Sequence, residues 1–217
     1  MHGSRPLHDD QPTCRRRSAG AGAVRERPPP ATSGAAVAVL RSASAVGGRR
    51  AAGEGAALDA AAHAVSLNGA AVAARAAETG ALVMLGALVN AAAVADAILA
   101  AQRRRGARTG ILVLAAGELA SREPGAEVRF AVEDLLGAGA VIDALGSLGI
   151  DHTSPEAAAA CEAFRGLRPA VRHLLTASGS GQELLARDAR DEVLAASIVD
   201  AAASAPVLRD GVFVAVG

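Results

Sequence analysis

From about residue 60 onward, short apolar runs alternate with longer Ala- and Leu-rich stretches. That rhythm belongs to β-loop-α units. The first unit reads as a strand over residues 63–67, a turn at Asn68-Gly69 and a helix over 70–79. The second has a strand over 81–86 and a helix from 91 to about 105, with Asn90 placed to cap it and Arg103, Arg104 and Arg105 suited to the negative end of its dipole. The third has a strand over 110–116, Gly117-Glu118 at its exit, a polar loop to Glu127 and a helix from about 130 to 145.

The last third reads as mostly helical. Ser154-Pro155-Glu156 combines an N-cap, a proline at the first helical position and an acid in the first turn, which predicts a helix through Phe164. Further helices are expected over 168–175, 182–187 and 191–202, with His173 inside an apolar helical stretch and therefore expected to be structural. Residues 206–208 and 212–216 flank Arg209-Asp210-Gly211 and read as a closing strand or hairpin. The expectation is an α/β domain over 35–217, three-layer α/β/α around a largely parallel or mixed sheet, with right-handed crossovers and a helical C-terminal third.

Residues 1–34 break this pattern. Arg15, Arg16, Arg17, the prolines Pro28 to Pro30 and scattered Gly and Ser read as a disordered tail. It has no continuous apolar run of the secretory kind, and Asp9, Asp10 and Glu26 count against an organelle leader. The most apolar window, 81–101, is mostly alanine and is interrupted by Asn90 and Asp96, so no membrane span is expected.

Composition narrows the function. The 22 cationic residues are all arginine and balance 22 carboxylates, leaving no basic field for nucleic acid or a membrane surface. Phe130, Phe164 and Phe213 are the only aromatic residues, too few for a base-stacking platform. Alanine dominates the apolar half of the chain, so layers must approach closely to gain stability. Cys14 and Cys161 form no metal or disulfide pattern, in keeping with a reducing, cytoplasmic setting.

In an open α/β sheet, ligands gather at the carboxyl ends of the strands. Ser66, Asn68, Asn90 and Glu118 emerge at that edge in the expected fold, joined by Arg129, Glu133 and Asp134 around the next helix start. Carboxylates with an arginine suit a hard divalent cation plus a phosphate. Each residue also has an ordinary use: Asn68 and Asn90 as helix caps, Glu118 as a solvated loop acid. Glu133 and Asp134 lie about 100° apart around a helix, so one is expected to face a site and the other to be a surface charge or ion-pair partner. The run Ser178-Gly-Ser-Gly181 precedes a helix and could cradle a phosphate or act as a flexible cap; it fits neither the P-loop nor the dinucleotide fingerprint.

Several strings together resemble the 2-phosphosulfolactate phosphatases. They are Ser66-Leu-Asn-Gly69, Leu85-Gly-Ala-Leu-Val-Asn-Ala91, Ala115-Ala-Gly-Glu118, Ser154-Pro-Glu156, Ser180-Gly-Gln-Glu-Leu184 and Pro206-Val-Leu-Arg-Asp-Gly211, and above all Arg129-Phe-Ala-Val-Glu-Asp-Leu-Leu-Gly-Ala-Gly-Ala140. The resemblance implies a Mg²⁺ site of acidic residues and hydrolysis of a phosphate ester on a small acidic sulfonate. Glu118 and Asp134 are then expected on the metal, and Glu118, Glu133 and Arg129 in catalysis. Asn68, Asn90, Ser178, Ser180 and Gly181 are expected to bind the phosphorylated, anionic substrate. The chain departs from the family at its front, where an early strand with an Asp-Val-Leu-Arg type motif is matched by Ala38-Val-Leu-Arg41, or is missing. The alternative is therefore a non-catalytic relative that binds an anionic small molecule or a protein partner. A truncated sheet with an open edge would favour a homo-oligomer.

Overall fold

The computed structural model describes residues 36–42, 67–106, 109–121, 123 and 125–216. The tail expected at 1–34 and residues 63–66 of the expected first strand lie outside the described residues. The chain runs β1 (Ala36–Ser42), α1 (Leu67–Ala77), β2 (Leu82–Gly86), a 3₁₀ turn (Leu88–Asn90), α2 (Ala91–Arg105), β3 (Thr109–Ala115), β4 (Glu118–Leu119) and β5 (Val128–Arg129). It continues through α3 (Val132–Ser147), α4 (Pro155–Leu167), α5 (Val171–Ala177), α6 (Gly179–Leu185) and α7 (Arg190–Ala196) to β6 (Ala205–Arg209) and β7 (Val212–Val216).

The sheet order is β3-β1-β2-β6-β7, with β4-β5 as a separate hairpin. Every described pairing is antiparallel, which corrects the expectation of a largely parallel sheet. The helical crossover through α2 does bring β2 and β3 into the same direction. They are not neighbours, however, because β1 fills the slot between them and runs the other way. Its N-terminal Ala36 lies opposite Gly86 and Ala115, at the carboxyl ends of β2 and β3, while Arg41 and Ser42 face the far end.

Alternation along the strands sorts two apolar faces. Val83, Leu114, Leu208 and Phe213 pack with Ala73 and Ala76 of α1. Leu82, Met84, Ile111, Val113 and Val207 face the larger core with Val94 and Ile98 of α2 and Leu136 and Val141 of α3. Helix α3 is buried along nearly its whole length because sheet, α2 and α4 surround it, and its small residues permit this.

Local signals explain most boundaries. Ser154 Oγ accepts from the Ala157 N–H at 3.3 Å with Pro155 at the first helical position, as expected. Asp210 and Gly211 both adopt positive φ, the twist a two-residue hairpin needs. Two expectations change. Asn68-Gly69 lies inside the first turn of α1, not before it. The helix expected over 191–202 stops at Ala196, because Asp200 turns left-handed (φ 55°) and its Oδ1 accepts from the Ala92 N–H at 2.8 Å, tying this segment to the start of α2. His173 is exposed on α5 and has no part in the core. No described helix is long and apolar enough to cross a membrane.

Candidate active site

The carboxyl end of β3 leads directly into Ala116, Gly117 and Glu118. Gly117 turns with φ 72°, a conformation that an L side chain rarely adopts, and a Cβ there would meet Val128 Cγ1 at 2.7 Å and the Arg129 carbonyl oxygen at 2.9 Å. This tight turn launches the β4-β5 hairpin, in which Glu118 and Arg129 are direct partners. Directly opposed residues of an antiparallel pair share a face, so carboxylate and guanidinium emerge together.

Hydrogen bonds draw neighbouring elements onto this turn. Asn68 Nδ2 of α1 donates to the Ala116 carbonyl. The Gly117 N–H donates to Asp134 Oδ2 at 2.6 Å, fixing the first turn of α3 against the end of β3. Asp134 is buried, and so is Glu133, at 3 % exposure. Neither is a surface charge, which corrects the expectation that one of the two would face solvent. The turn at Gly117 holds Asp134, while Glu133 lies against residues of α5, α6 and α7.

Glu133 is singular among the described residues. Both its carboxylate oxygens are buried without a hydrogen-bond partner. Beside it lies a cavity of about 10 Å³ lined by Leu175, Ser178, Gly181, Leu184, Val193 and Ala196. A buried acceptor left in this state is expensive, which singles Glu133 out as a candidate functional group.

Arg129 donates through Nη2 to Glu183 Oε1 at 2.6 Å, and its side chain is 34 % exposed. Its guanidinium lies over Gly179, where a Cβ would fall 2.6 Å from Nη1. Glu183 and Gly179 were not among the expected site residues. Glu183 had one available signal, its place in the Ser180-Gly-Gln-Glu-Leu184 string.

Glu118 feels all these charges. Burial is the main cause that pushes its carboxyl above the ordinary glutamate range; Arg129 opposes the shift, while Glu133 and Glu183 add to it. A carboxyl whose pKa is raised on folding is favourable when protonated and unfavourable when charged. The stability it contributes is full below the ordinary value of 4.5 and is lost as pH rises through the folded value. Glu118→Gln is therefore expected to melt higher than wild type at pH 7, with the gap closing as the pH falls toward 4. Thermal unfolding of the two proteins in chelator across that range checks it, and a gap that does not change with pH would rule out the shift.

Two expected substrate contacts are used elsewhere. Asn90 is buried under the turn after β2: its Oδ1 accepts from the Ala87 N–H at 2.8 Å, and Nδ2 donates to the carbonyls of Leu85 and Ser204 at 3.2 Å each. It pins β2 to the approach to β6 and makes no side-chain cap to α2. Ser178 Oγ accepts from the Gly181 N–H at 3.1 Å and donates to the Leu175 carbonyl at 3.0 Å, which is an N-cap. Ser180 and Gly181 are buried, and a Cβ on Gly181 would lie 1.8 Å from the Leu175 carbonyl oxygen. The Ser-Gly-Ser-Gly run thus packs tightly instead of opening a phosphate loop.

The site therefore gathers Asn68, Glu118, Arg129, Glu133 and Asp134 around one turn, with α6 closing it through Gly179 and Glu183. Among the described residues, no three His, Cys, Asp or Glu groups converge into a ready-made metal cage. Mg²⁺ does not require one, since it commonly keeps several waters and takes one or two carboxylates plus substrate phosphate oxygens. An unpartnered buried Glu133, close enough to Glu118 to help raise the Glu118 carboxyl, fits that demand.

No curated protein matches the chain. The profile of the family described as 2-phosphosulpholactate phosphatase matches residues 59–211, a span that takes in every residue gathered here. The chain belongs to the 2-phosphosulpholactate phosphatase family.

Proposed function

We propose that this protein is a Mg²⁺-dependent, cytoplasmic phosphatase, a three-layer α/β/α enzyme that hydrolyses the phosphate ester of a small acidic sulfonate such as 2-phosphosulfolactate. The observation that carries the reading is a buried, unpartnered Glu133 in the first turn of α3, four residues after Arg129 at the end of β5, in a chain of this family.

Charge counting supports it. Glu118 feels the like charges of Glu133 and Glu183 against the single guanidinium of Arg129, so a polyanionic ester meets net repulsion unless a cation joins it. Glu133 and Glu118 would hold Mg²⁺, with Asp134 fixing the helix start through the Gly117 N–H. When bound, the ion would neutralise phosphoryl charge and polarise the phosphorus centre. Arg129 is the side chain suited to the remaining phosphoryl oxygens, as a planar donor with two edges. Hydrolysis joins a water oxygen to phosphorus as the ester P–O bond breaks, and the released alcohol takes one proton from that water. Burial of the first turn of α3 keeps bulk water from screening these charges.

A second reading has one observation in its favour. Where the family pattern calls for an early acid the chain has Ala38, and β1 brings its N-terminal end, not the end following Arg41, to the site edge. A relative that binds phosphate without turnover would look like this.

Phosphate release from 2-phosphosulfolactate, with Mg²⁺ and with chelator, separates the two. Turnover with Mg²⁺ that stops in chelator is the expected outcome. Folded protein that is stabilised by the ester yet releases no phosphate would favour the binding reading.

A further inference from the structure

Arg129 is the most constrained exposed cation of the site, and the constraints come from α6. The guanidinium is held at one corner by Glu183, through Nη2 at 2.6 Å. At another corner Nη1 lies against Gly179, so close that any side chain there would occupy its place. The side chain is still 34 % exposed, so part of its donor set faces outward. Helix α6 is itself fixed: Ser178 caps it, Gln182 Nε2 donates to the Thr176 carbonyl at 2.6 Å, and Gly181 sits against the Leu175 carbonyl. A flexible arginine has thus been given a rigid seat and a rigid clamp.

We infer that Gly179 and Glu183 are positioning residues that aim Arg129 at the anionic group of the substrate, a role for α6 different from cradling phosphate through its own backbone. The inference rests on the phosphatase reading for the identity of the anion. A pre-aimed guanidinium loses less side-chain entropy on binding than a free one, and its fork remains available for a bidentate contact. Glu183 accepts from one corner and leaves the others to the ligand.

Gly179 makes the inference testable without removing a charge. It is exposed, it stands at the first position of α6, and its φ is not left-handed, so alanine there suits the helix better than glycine does. The one atom an added Cβ meets below 3 Å is the far end of Arg129, which can swing aside. Gly179→Ala should therefore move the guanidinium and leave the fold intact.

The experiment titrates inorganic phosphate in Mg²⁺ buffer against wild type, Gly179→Ala, Glu183→Ala and Glu183→Gln, following melting temperature, and measures kcat and KM for phosphate release from 2-phosphosulfolactate. Gly179→Ala and Glu183→Ala are expected to weaken phosphate about tenfold and to raise KM equally, with kcat within about twofold, the loss expected for one charge-assisted contact. Glu183→Gln, which retains an acceptor for Nη2, should lose clearly less than Glu183→Ala. Unchanged phosphate affinity in Gly179→Ala and Glu183→Ala would overturn the inference. So would tighter binding by Glu183→Ala, which would make Glu183 a competitor of the anion. If wild type turns over no ester, the phosphatase reading fails and the phosphate titration alone decides the positioning role. Wild type that phosphate does not stabilise overturns both.

Discussion

Glu133→Gln is expected to melt higher than wild type in chelator and to lose phosphatase activity. The two effects share one cause. In the fold, Glu133 is 3 % exposed and neither carboxylate oxygen receives a donor. Burying a charge without compensation is among the most unfavourable local arrangements a protein can hold, and removing it while keeping the side-chain shape should return about 1–3 kcal/mol. Glutamine fills the same space beside the small cavity at Ser178 and Gly181 without the charge. Its loss to catalysis should be about 100-fold or more, the usual scale for a directly participating group. Mg²⁺ should raise the melting temperature of wild type and leave that of Glu133→Gln almost unchanged, because a ligand stabilises only through the native state it binds. A variant that is less stable in chelator and still active would instead make Glu133 a structural acid.

Much of the order of elements from α1 onward was legible in the sequence, although the β4-β5 hairpin was expected as a polar loop. The Ser154-Pro155 start of α4, the β6-β7 turn and the exit of β3 into Gly117-Glu118 all follow from local rules acting within a few residues. Strand pairing was not legible, because two parallel strands joined by a helix do not announce what fills the gap between them. Here β1 fills it, from a stretch whose alternation is no stronger than that of its neighbours. The candidate site was legible as residue types: Glu118, Arg129, Glu133 and Asp134 do meet. Their division of labour was not. Ser178 is the local cap that its run allowed, but Asn90 spends an amide hydrogen on the Ser204 carbonyl 114 positions away, a partnership that no local window can reveal. Gly179 stood out only as part of the Ser178-Gly-Ser-Gly181 run, and its missing side chain becomes meaningful only once Arg129 lies across it.

Gly139→Ala and Gly137→Ala, two residues apart on α3, are expected to behave in opposite ways. Alanine-rich layers gain stability only by close approach, and α3 makes its closest approach at Gly139, where an added Cβ would lie 2.2 Å from the Ala160 carbonyl oxygen and 2.7 Å from Phe164 Cβ. These atoms belong to the backbone and stem of α4, so relief requires the helices to separate. Phe164 is 2 % exposed and Leu136, Val141 and Leu145 share its cluster, so separation loosens the main core. A cost of about 3 kcal/mol or more is expected, near the upper end for overpacking, and a fall of roughly 6–12 °C in melting temperature. At Gly137 the nearest atoms, Ala87 Cα and Leu88 N, are 3.7 Å away, an ordinary contact. There the methyl should be accommodated, and replacing glycine within a helix should raise stability by about 0.5–1 kcal/mol. Chemical denaturation of both variants checks the pair. Equal effects would mean that α3 and α4 do not make their close contact at Gly139.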